Sequence, residues 1–526
     1  MIKTDIKLPI NYGVSNIKEA LKQRLPLTDE DIRDFNIIRR SLNVKDKGDI
    51  HYDMTIALAL TSERERGLLN IRKKVRPHNQ SELDIPKSEL KSRPLVVGSG
   101  PAGLLAALAL ASAGANPIII ERGMAVAERE VSVDRFNTFG ILDPESNIQF
   151  GEGGAGTFSD GKLKYGAPDE YKLFILREFV DSGADEEIMY SVGAHVGTDK
   201  LKIIVEKIRN KIISLGGEFR FSTRLDSLIL DNDSVMGAKV TTRDGTTYEI
   251  MTDKIILAIG HSARDTFRVL HDQGVRMTPR GFGIGMRIEH PREYINELVY
   301  GKNYSKTLGA ASYHLVTHLS SGRSVYSFCM CPGGEVVAAT GNVGSIVTNG
   351  MSEYSRSAEN SNAAYLVSVT PDDFESDHPL AGFLIQEKIE QKAFSFTEKY
   401  KAPITVMKDF LDKKTPKSLG SMTPSYKRGV EIIEPESYLP SFVTESLREA
   451  MYDFDAWMPG MIYPDSLMIG PETRTTSPVR IERNEIYMSS VSGLYPVGEG
   501  AGYSGGIVSS ARDGLMVAVS MLKNSK

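Results

Sequence analysis

A glycine-rich turn between an apolar strand and an apolar helix places the strongest restriction on the fold of this 526-residue chain. The turn reads Gly98-Ser99-Gly100-Pro101-Ala102-Gly103, directly after the apolar residues 95–97 and before a helix predicted over residues 104–113. A second apolar strand ends at Glu121, 18 residues after Gly103. Strand, turn, helix, strand and acidic residue in this order are typical of a dinucleotide-binding unit in an α/β fold.

The chemistry of a dinucleotide explains the residue types in this unit. Gly98 permits a tight turn, Gly100 leaves room for a pyrophosphate against the backbone, and Gly103 lets the helix pack closely on the strand. Free N–H groups at the helix N-terminus meet the phosphates, and Glu121 lies where a carboxylate can accept from ribose hydroxyls. A glycine turn without a ligand explains fewer of these features, so the sequence predicts a dinucleotide pocket.

Two further features resemble the FAD-binding end of the glutathione-reductase-like flavoproteins. Arg122 and a glycine extend the second strand beyond Glu121, and Gly260 follows an apolar strand at residues 255–259. In that family the second glycine motif passes near the adenosine and pyrophosphate. The resemblance therefore implies FAD as the cofactor.

The C-terminal segment resembles the closing motif of the same flavoproteins. There a strand delivers an acidic residue, usually Asp, to the ribityl chain, and this chain has Glu499 followed by Gly500. Gly505, Gly506 and Ile507 then begin a predicted helix whose N-terminal amides would face the flavin. A positive helix end at that place stabilises an anionic reduced flavin.

Segments along nearly the whole chain resemble a family of bacterial FAD-dependent dehydrogenases, a name that rests on the cofactor. They are residues 38–42, 147–163, 327–334, 349–352 and 472–480. The resemblance implies FAD binding and a redox role, and it implies no particular substrate.

The glycine-rich part of the second of these segments would approach the flavin. Its predicted contacts are Gly153, Gly154, Gly156 and Thr157. Glycines allow the backbone to lie against a ring or a phosphate. A structural glycine loop without a ligand is the alternative.

The predicted fold class is α/β with three domains, which agrees with a prior of roughly 150 residues per domain. Residues 1–90 form a small α+β domain of the ferredoxin-like type. Residues 91–268 and 481–526 form a discontinuous Rossmann-like FAD-binding domain, and residues 269–480 are an inserted α+β substrate domain. Local patterns predict helices at residues 15–25 and 200–213, a short helix after Thr28, a strand at residues 50–58 and a strand meander at residues 218–250.

Composition restricts the binding partners and the compartment that we expect for the protein. The net charge is −5, which gives no general reason to expect nucleic-acid or membrane binding. Two cysteines exclude a disulfide framework, and no apolar run is long enough to span a bilayer, so a cytoplasmic protein is expected. Residues 1–93 carry a net charge of +5. RNA or an acidic partner could dock on the basic residues Arg39, Arg40, Lys45 and Lys47 or on the run at residues 72–76, but a solvated charged face is the favoured interpretation.

A second strand–GxGxxG–helix unit, which relatives that use NAD(P)H usually carry, is missing from the sequence. The glycines at residues 281–285 lack the spacing. The chain therefore resembles flavoproteins with one Rossmann unit, and NAD(P)H remains possible as a transient electron donor.

The remaining candidate groups have competing interpretations. Cys329 and Cys331 form a C-x-C that is either a redox thiol pair or, the favoured interpretation, part of a buried strand end. Arg474 and Arg480 either bind an anionic substrate or the FAD phosphates, or they form ion pairs. The candidate acid–base groups, each of which more often has a structural role, are His261, His290, His314 and His318.

The sequence thus predicts an FAD-dependent oxidoreductase that transfers hydride between flavin N5 and a small organic substrate. The alternatives are a flavin hydroxylase and a flavoprotein that docks RNA or a protein through its N-terminal domain. No metal is expected and no catalytic residue is assigned.

Overall fold

The first strands and helices form a four-stranded sheet with two helices. The computed structural model describes residues 1–32, 34–70, 74–78, 82–163 and 169–524. The sheet order is β2-β3-β1-β4, and the β-α-β-β-α-β sequence of elements is that of ferredoxin-like units. In chain order the elements are β1 (Ile2–Pro9), α1 (Val14–Arg24), β2 (Phe35–Asn43), β3 (His51–Leu58), α2 (Ser62–Leu69) and β4 (Arg76–Pro77).

The prediction of a short helix after Thr28 is wrong. Thr28 donates from its backbone N and its hydroxyl to the Asp31 carboxylate, at 2.8 and 3.1 Å, but these hydrogen bonds close a turn that leads toward β2. The helix at residues 15–25 and the strand at residues 50–58 are confirmed by α1 and β3. Two of the basic residues at 72–76, Arg72 and Lys73, lie outside the described residues.

The N-terminal unit rests on the following part of the chain through Arg40. Its backbone N donates to Tyr190 O and its carbonyl accepts from Val192 N, each at 2.8 Å. Its guanidinium lies 2.5 Å from the Glu187 carboxylate and stacks on Tyr190. Arg40 is therefore part of an internal contact, whereas Arg39, Lys45 and Lys47 are exposed.

The next part of the chain builds most of a five-stranded parallel sheet with the order β23-β11-β5-β6-β7. The helix at residues 200–213 is confirmed, but the predicted meander is correct only for β8 to β10, because β7 joins the parallel sheet. The elements are β5 (Leu95–Val97), α3 (Pro101–Ser112), β6 (Ile118–Ile120), α4 (Val126–Phe139), α5 (Glu170–Asp181), α6 (Thr198–Ser214), β7 (Glu218–Arg220), β8 (Thr223–Asp231), β9 (Ser234–Thr242), β10 (Thr247–Met251), β11 (Ile255–Leu257) and α7 (Arg264–Asp272).

The rest of the chain contributes a seven-stranded sheet with the order β14-β15-β18-β13-β21-β19-β20 and then returns to the parallel sheet. The seven-stranded sheet is antiparallel except for the pair β19–β20. The elements are β12 (Met277–Pro279), β13 (Phe282–Pro291), α8 (Arg292–Tyr300), β14 (Val316–His318), β15 (Ser324–Cys331), β16 (Glu335–Ala338), β17 (Thr348–Met351), β18 (Asn360–Val369), α9 (Ala381–Ser395), β19 (Ala402–Val406), α10 (Met407–Leu411), β20 (Val430–Ile432), α11 (Ser441–Trp457), β21 (Leu467–Glu472), β22 (Val479–Ile481), β23 (Leu494–Pro496) and α12 (Ile507–Lys523).

The structure thus has a mixed α/β fold with a parallel sheet, as predicted. Helix α3 is buried along nearly its whole length and packs on α12, where Gly514 lets the helix backbones meet closely. A Cβ at Gly514 would lie 2.0 Å from Ala102 O. The domain boundaries at residues 90, 268 and 480 stay predictions. Within the described part of the chain, no helix is both long and apolar enough to cross a bilayer.

Candidate functional site

The glycine turn forms the start of a cavity between the parallel sheet and the seven-stranded sheet. Gly98 has a φ of +100°, and a Cβ there would lie 2.4 Å from Ala258 O. A Cβ on Gly103 would lie 1.9 Å from Gly98 O, so this glycine lets α3 pack against the turn. Gly100 differs, because the nearest heavy atom to a Cβ there, Gly154 Cα, is 3.8 Å away. The turn therefore leaves open space beside the first amides of α3, where a phosphate group fits.

Glu121, at the end of β6, holds the turn and a neighbouring loop together. One carboxylate oxygen accepts from Ser99 N and Ser99 Oγ at 2.8 and 2.9 Å. The other accepts from Gly123 N and Gly151 N, both at 3.0 Å. Glu121 lines the cavity, as predicted for a ribose contact, but in this structure its hydrogen bonds go to the protein. Ser99 is fully buried and acts through Glu121.

The loop at residues 146–163 contributes both lining and supporting residues. Gly154 and Gly156 line the cavity. Gly153 and Thr157 lie behind them, where a Cβ on Gly153 would be 2.0 Å from Thr157 Oγ1. The loop is held by Arg129, a fully buried side chain of α4 whose role the sequence analysis missed because it looks like a surface charge. Arg129 donates to the carbonyls of Asn147, Ile148 and Glu152 at 2.8, 2.9 and 2.6 Å.

The C-terminal glycine segment forms the other end of the cavity wall that lies next to the parallel sheet. Gly260, Glu499 and the residues that begin α12 line the cavity. Gly500 does not, because its backbone crosses that of Gly260, with a Cβ position 2.4 Å from Gly260 O. Burial, together with the negative charge of Cys329, raises the pKa of Glu499 to about 7, against the opposing effect of Arg280. Glu499 can therefore hold or release a proton near neutral pH.

The structure brings most of the predicted cofactor residues to this one cavity. Five of them lie behind its surface, where they shape the backbone; these are Ser99, Gly103, Gly153, Thr157 and Gly500. The lining residues from the prediction are Gly98, Gly100, Pro101, Ala102, Glu121, Arg122, Gly154, Gly156, Gly260, Glu499, Gly505, Gly506 and Ile507.

Polar side chains from the seven-stranded sheet and its neighbours form the opposite wall. No role for them was predicted from the sequence, although they fall in the distinctive segments at residues 147–163, 349–352 and 472–480. Polar residues next to a glycine motif are the signal that could have identified them. They include Asp160, Lys162, Asn349, Glu472 and Thr475.

Arg287 of β13 organises this polar wall. It is fully buried, and its Nε and Nη2 donate to the Glu472 carboxylate at 2.7 and 2.5 Å. Its remaining donors reach Asn349 Oδ1 at 3.0 Å, Asn362 Oδ1 at 3.1 Å and Cys329 O at 2.8 Å. The guanidinium thus fixes three residues that line the cavity.

A second buried ion cluster contains two arginines and one carboxylate. Glu390 of α9 accepts from Arg264 at 2.7 and 2.9 Å and from Arg474 at 2.8 and 3.2 Å. Although burial opposes ionisation, the two arginines lower the pKa of Glu390 to about 2. Arg474 lines the cavity, and within the described residues its Nη1 has no hydrogen-bond partner. Glu387 lies 3.7 Å from Arg264 and balances the second arginine, so the feature that the cluster offers at the cavity wall is the unpaired, buried N–H donor of Arg474. Arg480, the other candidate, is exposed and lies 3.4 Å from Gly502 O.

Of the candidate histidines, His261 is the one that lines the cavity. Burial and the charges of Arg474 and Arg264 lower its pKa to about 3, so its imidazole is neutral at neutral pH. His290 is buried elsewhere against Met461 O, and burial lowers its pKa to about 4. His314 and His318 are exposed, and His318 lies in the strand β14.

Comparison with known proteins agrees with the division of the cavity into two walls. A family model described as an FAD binding domain matches residues 93–128, and one described as "FAD-dependent protein, C-terminal domain-like" matches residues 281–475. A protein of Clostridium beijerinckii, described as uncharacterized, is 41% identical over 529 residues, which cover 98% of this chain and 97% of the relative.

Matches among solved structures are more distant. The glycerol-3-phosphate dehydrogenase of Bacillus halodurans, complexed with FAD, is 13% identical, with 83% of this chain and 65% of that chain covered and a TM-score of 0.33. A flavoprotein/dehydrogenase of Cytophaga hutchinsonii is 12% identical, with 82% and 79% covered and a TM-score of 0.37.

Proposed function

Because this chain belongs to the same family as its clostridial relative and is an FAD-dependent oxidoreductase, we propose that it transfers hydride between the flavin and a small organic substrate. The proposal rests on one observation: the cavity that begins at the dinucleotide turn continues to the polar wall of the seven-stranded sheet. When bound, FAD supplies the two-electron redox centre. The protein supplies binding, orientation and exclusion of water.

The residues of the cavity wall next to the parallel sheet fit FAD. The space beside Gly100 and the amides of α3 suit a pyrophosphate, and Glu121 with Arg122 would face the adenosine end. Gly260, Glu499 and the start of α12 would face the flavin end, as in the glutathione-reductase-like flavoproteins that the sequence resembles. A Cβ on Gly260 or Gly505 would meet no heavy atom within 4 Å, which is consistent with room for a ligand.

The wall next to the seven-stranded sheet, together with His261 and Glu499 from the wall next to the parallel sheet, supports an anionic substrate. The unpaired Nη1 of Arg474 can donate to a carboxylate or a phosphate, and neutral His261 can donate or accept beside it. Glu499 can exchange a proton with the substrate or with solvent near neutral pH. These groups would orient the substrate and move its proton.

A pyridine nucleotide remains a candidate electron donor that binds only transiently. Gly283 and Gly285 lie inside β13, paired with β18, and so they do not form a second dinucleotide turn. This placement supports an arrangement with one Rossmann unit.

Anaerobic titration of the FAD-loaded protein with NADH, NADPH and then a panel of small organic acids tests the proposal. Bleaching of the visible flavin band by any of them supports hydride transfer. The Arg474→Gln variant is the matched comparison: we expect a raised KM for an acidic donor with flavin content unchanged. A protein that takes up no FAD, or whose flavin none of these donors reduces, would show that the proposal is wrong.

A further inference from the structure

The two cysteines of the chain lie together at the end of β15, beside the cofactor cavity. Cys329 lines the cavity, and Cys331 is fully buried behind it. The strand is irregular here, because its register with β18 shifts between Phe328 and Cys331 and Cys329 has a φ of +42°. The irregularity places both thiols near each other, although alternate residues of a regular strand share a face at a greater separation.

The surroundings of the pair distinguish the two sulfurs. The Cys331 thiol donates to Cys329 O at 3.3 Å, so its sulfur lies beside Cys329. The neighbouring Cys331 thiol, helped by the charges of Arg287 and Lys162 and opposed by burial, lowers the pKa of Cys329. The same interaction, together with burial, raises the pKa of Cys331. Cys329, the sulfur that lines the cavity, is therefore the one that loses its proton more readily, and the more easily ionised sulfur is the reactive one of a dithiol.

Two basic side chains hold the backbone between the two cysteines. Arg287 donates to Cys329 O at 2.8 Å, and Lys162 donates from Nζ to Met330 O. Both side chains come from outside β15, so the site is assembled by the fold.

The need for a small side chain explains why residue 331 is a cysteine, but it does not explain the cysteine at residue 329. A Cβ on Gly350 would lie 3.0 Å from Cys331 Sγ, and one on Gly334 would lie 3.1 Å from Cys331 Cβ, so a small side chain fits there. Cys329 instead adopts a backbone conformation that is rare outside glycine and faces the cavity. A metal site lacks ligands, since no group of three His, Cys, Asp or Glu side chains in the described residues could hold an ion.

We propose that Cys329 and Cys331 are a redox-active dithiol that exchanges an electron pair with FAD in the same cavity. The inference rests on the proposed function, because it requires the bound flavin. In the oxidising direction an S–S bond forms between the two sulfurs, and the thiols lose two electrons and two protons. FAD takes up the electron pair and becomes FADH2. In the reverse direction FADH2 returns the pair, the S–S bond breaks and both thiols form again.

Glu499 is the carboxylate placed to carry one of these protons. The charge on Cys329 raises the pKa of Glu499, and the two residues line the same cavity.

Electron counting tests the dithiol directly. The air-oxidised holoprotein is titrated anaerobically with dithionite in the presence of a viologen mediator, and the flavin band is followed. We expect uptake of two electron pairs per chain, one for FAD and one for the disulfide. In Cys329→Ser and in Cys331→Ser, we expect one pair and an unchanged flavin content.

Thiol labelling provides a readout that needs no variant. Because the chain has only two cysteines, N-ethylmaleimide added on unfolding labels no other thiol. We expect no label on the oxidised holoprotein and two labels after reduction. Two labels in both states, with uptake of a single electron pair by a flavin that bleaches normally, would overturn the dithiol and leave hydride transfer standing. A protein without bound flavin would overturn both.

Discussion

The wall of the cavity next to the parallel sheet consists mainly of backbone, whereas the wall next to the seven-stranded sheet consists of side chains. On the first, glycines such as Gly100, Gly154 and Gly505 leave the peptide groups uncovered. On the second, charged groups such as Arg474 and Glu472 face the cavity and are held by buried partners. Backbone amides suit the constant phosphate and ribityl parts of a cofactor, and side chains can be changed to suit a substrate. The difference therefore separates cofactor binding from substrate choice.

Removal of the Glu390 charge should have the largest effect on stability, and it tests the side-chain wall. Glu390→Gln leaves Arg264 and Arg474 buried without their carboxylate, which should cost about 3–5 kcal/mol of the free energy of unfolding. Urea denaturation measures this loss. Glu375→Gln is the control, because Glu375 is exposed and pairs with the exposed Lys388 of the same helix as Glu390. It should cost about 1 kcal/mol or less. Equal losses in the two variants would contradict the cluster.

A pair of glycine substitutions tests the backbone wall. Gly100→Val should keep the fold, since the nearest atom to its Cβ, Gly154 Cα, is at an ordinary contact distance of 3.8 Å, but it should lose FAD, because the side chain occupies the pyrophosphate space. A clash of about 3 kcal/mol lowers FAD affinity about a hundredfold. Gly103→Val should instead lower the unfolding temperature, since its Cβ meets Gly98 O. Flavin content after gel filtration and thermal unfolding measure the two effects. Full flavin in Gly100→Val would contradict the site.

The smallest effect is the pH dependence of Glu499, which lies where the two walls meet. Its pKa in the folded protein is raised from 4.5 to about 7, so its ionisation disfavours the fold increasingly as pH rises from about 4.5 to 7. Glu499→Gln removes this penalty. In the flavin-free protein the variant should gain about 1–3 kcal/mol relative to wild type between pH 5 and pH 8. Urea denaturation at both pH values measures the gain, and exposed Glu485→Gln should show no such difference.

The two walls also differ in how well the sequence predicts them. The turn at Gly98–Gly103, the helix after it and Glu121 are close in the chain, so their spacing predicts their geometry. The pair Arg287–Glu472 joins residues 185 positions apart, and Arg264–Glu390 joins residues 126 apart. Local patterns carry no information about such pairs. The sequence therefore predicted the parallel sheet and the cofactor cavity, but the polar wall became visible only in the structure.

Local signals also fail where tertiary structure decides the outcome. Thr28 and Asp31 form hydrogen bonds of the kind that begin a helix, yet the chain turns and enters a strand. The C-x-C pattern is compatible with packing and with redox chemistry, and only the register shift in β15 places Cys329 at the cavity.

The short pair β12–β22 has a consequence for how such a protein can change over evolution. Met277 pairs with Ile481 and Pro279 with Val479, so the chain leaves and re-enters the cofactor unit at two adjacent positions. Whatever lies between them closes a loop whose ends are already joined, and doubling the length of such a loop costs only about 0.6 kcal/mol. The entropy of closing the segment therefore sets little limit on its length, so insertions in its exposed loops can alter the substrate side of the cavity while the flavin scaffold is kept.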